Sequence, residues 1–260
     1  MTTVPTDRSS AGDPARTLAL LWREPGHGAS GRGPKQGRTI DEVVNTAVEL
    51  ADTAGLEAVT MRRVAQALDV APMSLYTYVP GKAELLDLML DTVYAQMPRA
   101  DHADRPWRAR VEAIAEENRA LFERHPWVAA VSTVRPPLGP GLMGKYEHEL
   151  RAFNALGLDD VEMDAALTYL LSFVQAAARA AAEVRASQHD SAMNDEEWWA
   201  ANGPLLAKAS DATKYPTASR VGTAAGETHG GPYSPDYAYA FGLRRVLDGL
   251  GALIESRVGD

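Results

Sequence analysis

The sequence predicts an all-α chain: a three-helix N-terminal head, followed by a larger helical domain. Three observations predict it. Apolar residues recur at helical spacing in nearly every segment beyond residue 38, and no convincing period-two strand pattern occurs in the 260 residues. Capping residues, glycines and prolines divide these segments into helix-sized pieces. One stretch, Thr60–Lys82 (TMRRVAQALDVAPMSLYTYVPGK), reads as two short helices joined by a three-residue turn.

Taken in order, residues 1–37 form a tail rich in Gly, Pro, Ser and Arg. Such a composition cannot bury enough apolar surface to order itself, so a flexible basic tail is expected. Leu18–Trp22 (LALLW) is the exception and reads as a short docked turn. Gly26–Gly31 spells G-x-G-x-x-G, but no strand precedes it and no helix opens after it, so the nucleotide-binding reading is rejected. Arg32, Lys35 and Arg38 make a basic arm just before the helical pair, suited to a DNA minor groove. A solvated leader is the plain alternative.

Thr39 to Ala54 is the first firm helix. Thr39 and Glu42 make a capping box, Ile40, Val43, Val44, Ala47 and Ala51 make the apolar stripe, and Gly55 ends it. Thr60 caps the next helix, whose Met61, Val64, Ala65 and Leu68 share one face. Asp69-Val70-Ala71 makes the turn, and Asp tolerates the left-handed backbone required there. Pro72 opens the following helix at a position where a missing N–H costs nothing. Leu75 and Val79 point back to the core, and Pro80-Gly81 ends the helix. In this arrangement the second helix enters the DNA major groove. A further helix runs from Lys82 to about Gln96.

These residues carry a resemblance. T-x-R-x-V-A-x-x-L from Thr60, S-L-Y-x-Y-V from Ser74 and G-K-x-E-L-L from Gly81 resemble the DNA-binding motif of the tetracycline-repressor (TetR/AcrR) family. The match runs without a gap from Thr39 to about Met89, and departs from the family where Asp69 replaces its usual Gly. The resemblance implies a DNA-binding domain over 38–82 and a ligand-binding and dimerisation domain over 83–260. It also implies that Pro72, Met73, Ser74, Tyr76 and Thr77 form the reading face, with Arg62 reaching a base from the preceding helix. Met73 and Pro72 suit thymine methyls, Ser74 and Thr77 suit base edges, and Tyr76, Tyr78 and Lys82 suit phosphates. Core packing is the competing role for the two tyrosines.

Beyond Pro98, helices are expected at 107–124, about 127–134, 142–156, 160–187, 195–210 and 235–257, with a long polar loop over 211–234. The 160–187 helix is thin with alanines and the last helix carries three glycines. Each helix-interior Gly costs about 1 kcal/mol relative to Ala, so close helix approach is expected there. The family dimerises through a four-helix bundle of two such helices per subunit. The resemblance therefore points to Ala166, Leu170, Phe173 and Ala177 on one helix, and Phe241, Gly242, Val246, Gly249, Leu250 and Leu253 on the other. Intrachain packing is the alternative.

Charge and composition bound the function. The net charge is −9, yet residues 1–82 hold nine basic and nine acidic groups, so the deficit lies wholly in residues 83–260, away from DNA. With no cysteine, thiol chemistry and cysteine-ligated zinc are excluded. The N-terminus lacks a secretory apolar core and no apolar run approaches a membrane-spanning length, so a cytoplasmic protein with no membrane partner is expected. The six histidines are each more than 20 residues apart and no nucleophile elbow occurs, so no catalytic residue, metal site or cofactor is expected.

The family's larger domain binds a small molecule among its helices. Candidate wall residues are Trp107, Phe122, Trp127, Tyr146, Phe153, Tyr169, Phe173, Trp198 and Trp199, with His125, His148 and Gln175 as polar contacts. Together these readings describe a homodimeric repressor, released from a palindromic operator by a lipophilic or aromatic effector. A chromosome-organising protein of the same fold and a protein–protein adaptor are the other classes considered.

Overall fold

The structure, a computed structural model, describes residues 8–24, 38–190, 193–210, 213–231 and 233–258. Among these, every regular element is helical, apart from one isolated bridge between Arg8 and Ser132. The head comprises α2 (Ile40–Ala54), α3 (Met61–Ala67) and α4 (Pro72–Leu75), and α5 (Lys82–Ala95) leads from it into the body. Thr39 and Glu42 form the capping box on α2, and Thr60 accepts from Arg63 N on α3. Asp69 takes φ 54°, the left-handed conformation the turn needs.

The body contains α6 (Trp107–Arg124), α7 (Pro126–Ala130), α8 (Pro140–Arg151), α9 (Asp160–Asp190) and α12 (Pro235–Val258), with a hairpin of α10 (Asp195–Ala209) and α11 (Pro216–His229) between the last two. Helix α9 packs on α6, α7 and α12, while α8 packs on α5. By length and composition alone α9 could cross a membrane, but its Leu167, Leu170 and Val174 are buried in the body.

Two apolar cores result. One fills the head and continues through α5 to Leu121, Trp127, Val128 and Val131, so head and body share it. The other lies between α6, α8, α9 and α12, around Ile114, Phe153, Leu170 and Leu250.

Several expectations are corrected. Residues 8–24 are not a free tail: α1 (Pro14–Leu21), capped by Asp13, docks on α5. Ser10 N donates to Asp87 at 2.8 Å, Ser9 Oγ donates to Arg135 O at 2.6 Å, and Trp22 Nε1 donates to Leu138 O at 2.8 Å. Arg23 pairs with Asp41 of α2, so this strap touches head, connecting helix and body. These are polar contacts distant in sequence, which composition does not reveal. The loop expected at 211–234 holds α11, which opens on Pro216 and supports Trp199 of α10 over Gly226.

Other boundaries move for local reasons. Helix α7 stops at Ala130, and Gln175 and Arg179 take the free carbonyl of Ala129. Helix α8 begins at Pro140 because Asp91 of α5 accepts from Gly141 N at 3.1 Å and Leu142 N at 2.8 Å. That contact is possible only with glycine: a Cβ on Gly141 would lie 2.0 Å from Asp91 O.

Asp87 is fully buried, and desolvation, opposed by the Ser10 N–H and reinforced by Glu84, pushes its carboxyl up to about 6. The folded state therefore holds this proton more tightly than the unfolded chain. Its stabilising effect is complete below about pH 4 and is lost as pH rises through about 6. Denaturant unfolding from pH 4 to 7 should show wild-type stability falling relative to Asp87→Asn, by up to ~3 kcal/mol. Parallel pH profiles would contradict this.

Candidate nucleic-acid interface and effector cavities

The fully buried Leu75 and Val79 anchor α4 to the head, which fixes the face it turns outward. Pro72, Met73, Ser74, Tyr76 and Thr77 are all exposed, with Met73 77% and Tyr76 46% accessible. Arg62 is exposed on α3 beside them. The helix extends past Leu75 through Tyr78 N and Val79 N, both bonded to Leu75 O. Thr77 Oγ1 donates to Ser74 O at 2.6 Å, which leaves the hydroxyl oxygen able to accept.

The remaining reading candidates divide. Tyr78 is half-buried against the head core. Lys82 is partly buried at the start of α5. Arg38 donates to Leu68 O at 3.0 Å and lies 3.8 Å from Glu42, so its guanidinium braces the end of α3 rather than extending a free arm. Arg32 and Lys35 lie outside the described residues.

Head and body are joined by polar bonds as well as by the shared core. Asp52, near the end of α2, accepts from His125 Nδ1 and Trp127 Nε1, each at 2.8 Å. His125 and Trp127 flank the α6–α7 junction, so both tie it to the head, and His125 also lines a cleft of about 420 Å³ with Val93, Met97 and Leu121.

Most of the other wall candidates have structural partners too. Phe153 is fully buried in the body core. Tyr169 lies on the outer face of α9, 55% exposed. Tyr146 donates to Asp164 at 2.8 Å on the surface. Trp107 packs beside Arg108, Phe173 stacks on Tyr239, and Trp198 stacks on Trp199 in the hairpin.

Phe122 and Gln175 do line a cavity. They meet Tyr94, Asn118, Lys145 and Leu171 around a small space of about 80 Å³ among α5, α6, α8 and α9. Lys145 bonds Glu149 at 2.6 Å, and Asn118 Nδ2 donates to the same carboxylate at 2.6 Å. Burial, with Glu149 and Asp91 nearby, raises the Tyr94 hydroxyl above its ordinary range, so it stays protonated as a donor. Phe122 also belongs to the wall of a cleft of about 430 Å³ with Arg119, Ala177, Ala178 and Tyr239. Lys145, Asn118 and Glu149 escaped the sequence reading, because an i, i+4 Lys–Glu pair looks the same on a solvated face.

The fold also gathers two histidines that the sequence separates. His102 Nε2 lies 2.8 Å from Glu117 Oε1, and His148 Nε2 lies 2.7 Å from Glu117 Oε2. No spacing motif signals the trio, since it joins the 98–106 segment to α6 and α8.

Comparison with known proteins fits this geometry. Residues 43–89 match the family model described as bacterial regulatory proteins, tetR family, and residues 98–254 match tetracyclin repressor-like, C-terminal domain. The chain belongs to the tetR family of bacterial regulatory proteins. It is 43% identical over 257 residues to the HTH-type transcriptional repressor DrrR1 of Streptomyces coeruleorubidus, covering 98% of this chain and 92% of that protein. It resembles ActR of Streptomyces coelicolor in complex with actinorhodin at 28% identity and TM-score 0.68, covering 84% of this chain and 99% of that one. The ActR complex with (S)-DNPA matches with TM-score 0.64, again at 28% identity, over 83% and 98% of the two chains.

The protein is a ligand-responsive, DNA-binding transcriptional repressor. The chromosome-organising and adaptor readings are not favoured. Regulators of this family bind DNA operators and ligand effectors, and they dimerise.

In the tetR-family regulator, several residues expected at a dimer surface are used within the chain. Ala166, Leu170, Val246 and Leu250 are buried within the chain, where α9 and α12 pack on each other and on α6. Gly242 is explained within the chain as well, because a Cβ there would lie 2.4 Å from the Phe173 ring. Ala177 and Leu253 are half-buried, while Phe241 and Gly249 face outward. The outer faces of α9 and α12 thus present Ala165, Tyr169, Ser172 and Ala176 alongside Phe241, Gly249 and Ala252.

Proposed function

We propose that two copies of this regulator pair through the outer faces of α9 and α12 and read a near-palindromic operator with their two α4 helices. The observation that carries the reading is the α3–α4 unit. Its exposed residues suit base edges, thymine methyls and phosphates, and its buried residues fix it in the head core. Two heads on successive major-groove faces require half-sites one helical turn, about 34 Å, or a multiple of it apart. Lacking Arg, Lys, Asn and Gln on α4, the head relies on Arg62 for guanine and otherwise on apolar contacts and DNA shape. The regulator acts in the cytoplasm, where its DNA lies.

The effector, on this reading, is a small lipophilic or aromatic molecule with hydrogen-bonding groups. It enters the space bounded by Tyr94, Phe122, Lys145 and Gln175, with Phe122 giving way toward the larger cleft. The ActR complexes with actinorhodin and (S)-DNPA support a small-molecule effector for this chain. Tyr94 stands on α5, so a molecule that displaces it moves the helix leading to the head. To release DNA, the effector must bind the DNA-incompetent state more tightly, since equal affinity shifts nothing.

Selection from random DNA duplexes should return a two-fold symmetric consensus, and Tyr76→Ala should weaken binding to it by ~1–3 kcal/mol without changing folding or dimerisation. Unchanged affinity would contradict the assigned reading face. Replacing Tyr169 and Phe241 together by Glu should leave helicity intact and convert the dimer to monomer in sedimentation. A persistent dimer would move the interface elsewhere.

A further inference from the structure

We propose that His102, Glu117 and His148 form a binding site for a divalent transition-metal ion of the zinc type. The three donors come from three elements, the segment between α5 and α6, α6 itself, and α8, and the fold brings them together across long sequence separations. One donor atom from each lies within 4.8 Å of the other two. A tetrahedral ion with ligands at about 2.0–2.1 Å sets its donors about 3.3 Å apart. Small rotations of two imidazoles and one carboxylate cover that contraction.

The donor chemistry fits. Two imidazoles and one carboxylate are a set that zinc accepts at open sites, and they offer nothing to select a hard cation such as magnesium. The side chains are partly shielded, with relative exposures of 11% for His102, 17% for Glu117 and 16% for His148. They are therefore held in place yet reachable. His102 and His148 also line a cleft of about 660 Å³, which gives an ion an entry path and leaves room for water at a fourth position. Without an ion, both Nε2 atoms are directed at the one carboxylate. A bound ion would take the place of those Nε2 protons, each neutral imidazole then carrying its one proton on Nδ1, and because an imidazolium cannot ligate, binding would weaken in acid.

The site also has a mechanical consequence. His102 follows α5 closely in the chain, and His148 stands on α8, which packs on α5. An ion would clamp the end of the connecting helix to two body helices.

The test is calorimetric titration of the untagged full-length dimer with Zn²⁺, with Co²⁺ absorption as a second readout. The proposal expects one ion per chain and a visible Co²⁺ spectrum of low coordination number. His102→Ala and His148→Ala should each weaken binding by more than the roughly 10–100-fold typical of losing an outer-shell partner. His229→Ala, on α11, should not. Circular dichroism identifies any variant that fails to fold, and Glu117→Gln, which keeps the shape but not the charge, then serves as the second variant. No binding at micromolar Zn²⁺ would overturn the proposal and leave a carboxylate that bridges two imidazoles by hydrogen bonds alone. Binding that survives all three substitutions would overturn it too.

Discussion

Glu84, Asp87 and Asp91 stand about one turn apart on α5 and are buried where head, strap and body meet. A buried carboxylate is costly unless hydrogen bonds replace its lost water, so the surrounding chain is arranged to supply them. Asp13 N reaches Glu84, Ser10 N reaches Asp87, and the first N–H groups of α8 reach Asp91. The last of these is also favourable to α8, whose N-terminus gains both hydrogen-bond acceptors and a negative charge near the positive end of its dipole. Helix α5 is thereby fixed along one face by polar bonds to the strap and to α8, with Leu85, Met89 and Leu90 filling the apolar side.

The consequence is that the reading head is not hung on a flexible joint. Its core runs on into α6 and α7, the strap ties Arg23 to Asp41, and Asp52 holds the α6–α7 junction. Any change in the cavity around Tyr94 and Lys145 is felt by α5, and α5 carries the head. Protein cores are close-packed and deform in discrete steps rather than continuously, so on the proposed reading a modest displacement there becomes a change in head orientation.

The head was legible from the chain because its signals are local: the Thr39–Glu42 capping box, Asp69 in the turn, Pro72 at the start of α4, and Leu75 and Val79 pointing inward. The body was legible as helices but not as sites. Aromatic residues such as Phe153 and Trp127 look alike whether they line a cavity or fill a core, and only packing decides. The intrachain seam on α9 and α12 was hidden for a related reason. Ala166 and Leu170 sit on a helix apolar on both sides, so periodicity could not tell the intrachain seam from the outer face. Ser10, Asp52, Asp91 and Glu117 act through partners 50 or more residues away or through grouped histidines, and single-sequence spacing carries no trace of that.

The claim that head and body act as one unit is tested most directly at the Asp52 node. Asp52 keeps some solvent access, its side chain being 25% exposed, so replacing His125 and Trp127 together by Phe removes both bonds without stranding a buried charge. The account predicts that this variant still unfolds cooperatively but binds the selected operator at least about 5-fold more weakly, the lower end of typical coupling between sites. Wild-type operator affinity in a folded variant would contradict it, and would place the coupling in the shared apolar core alone.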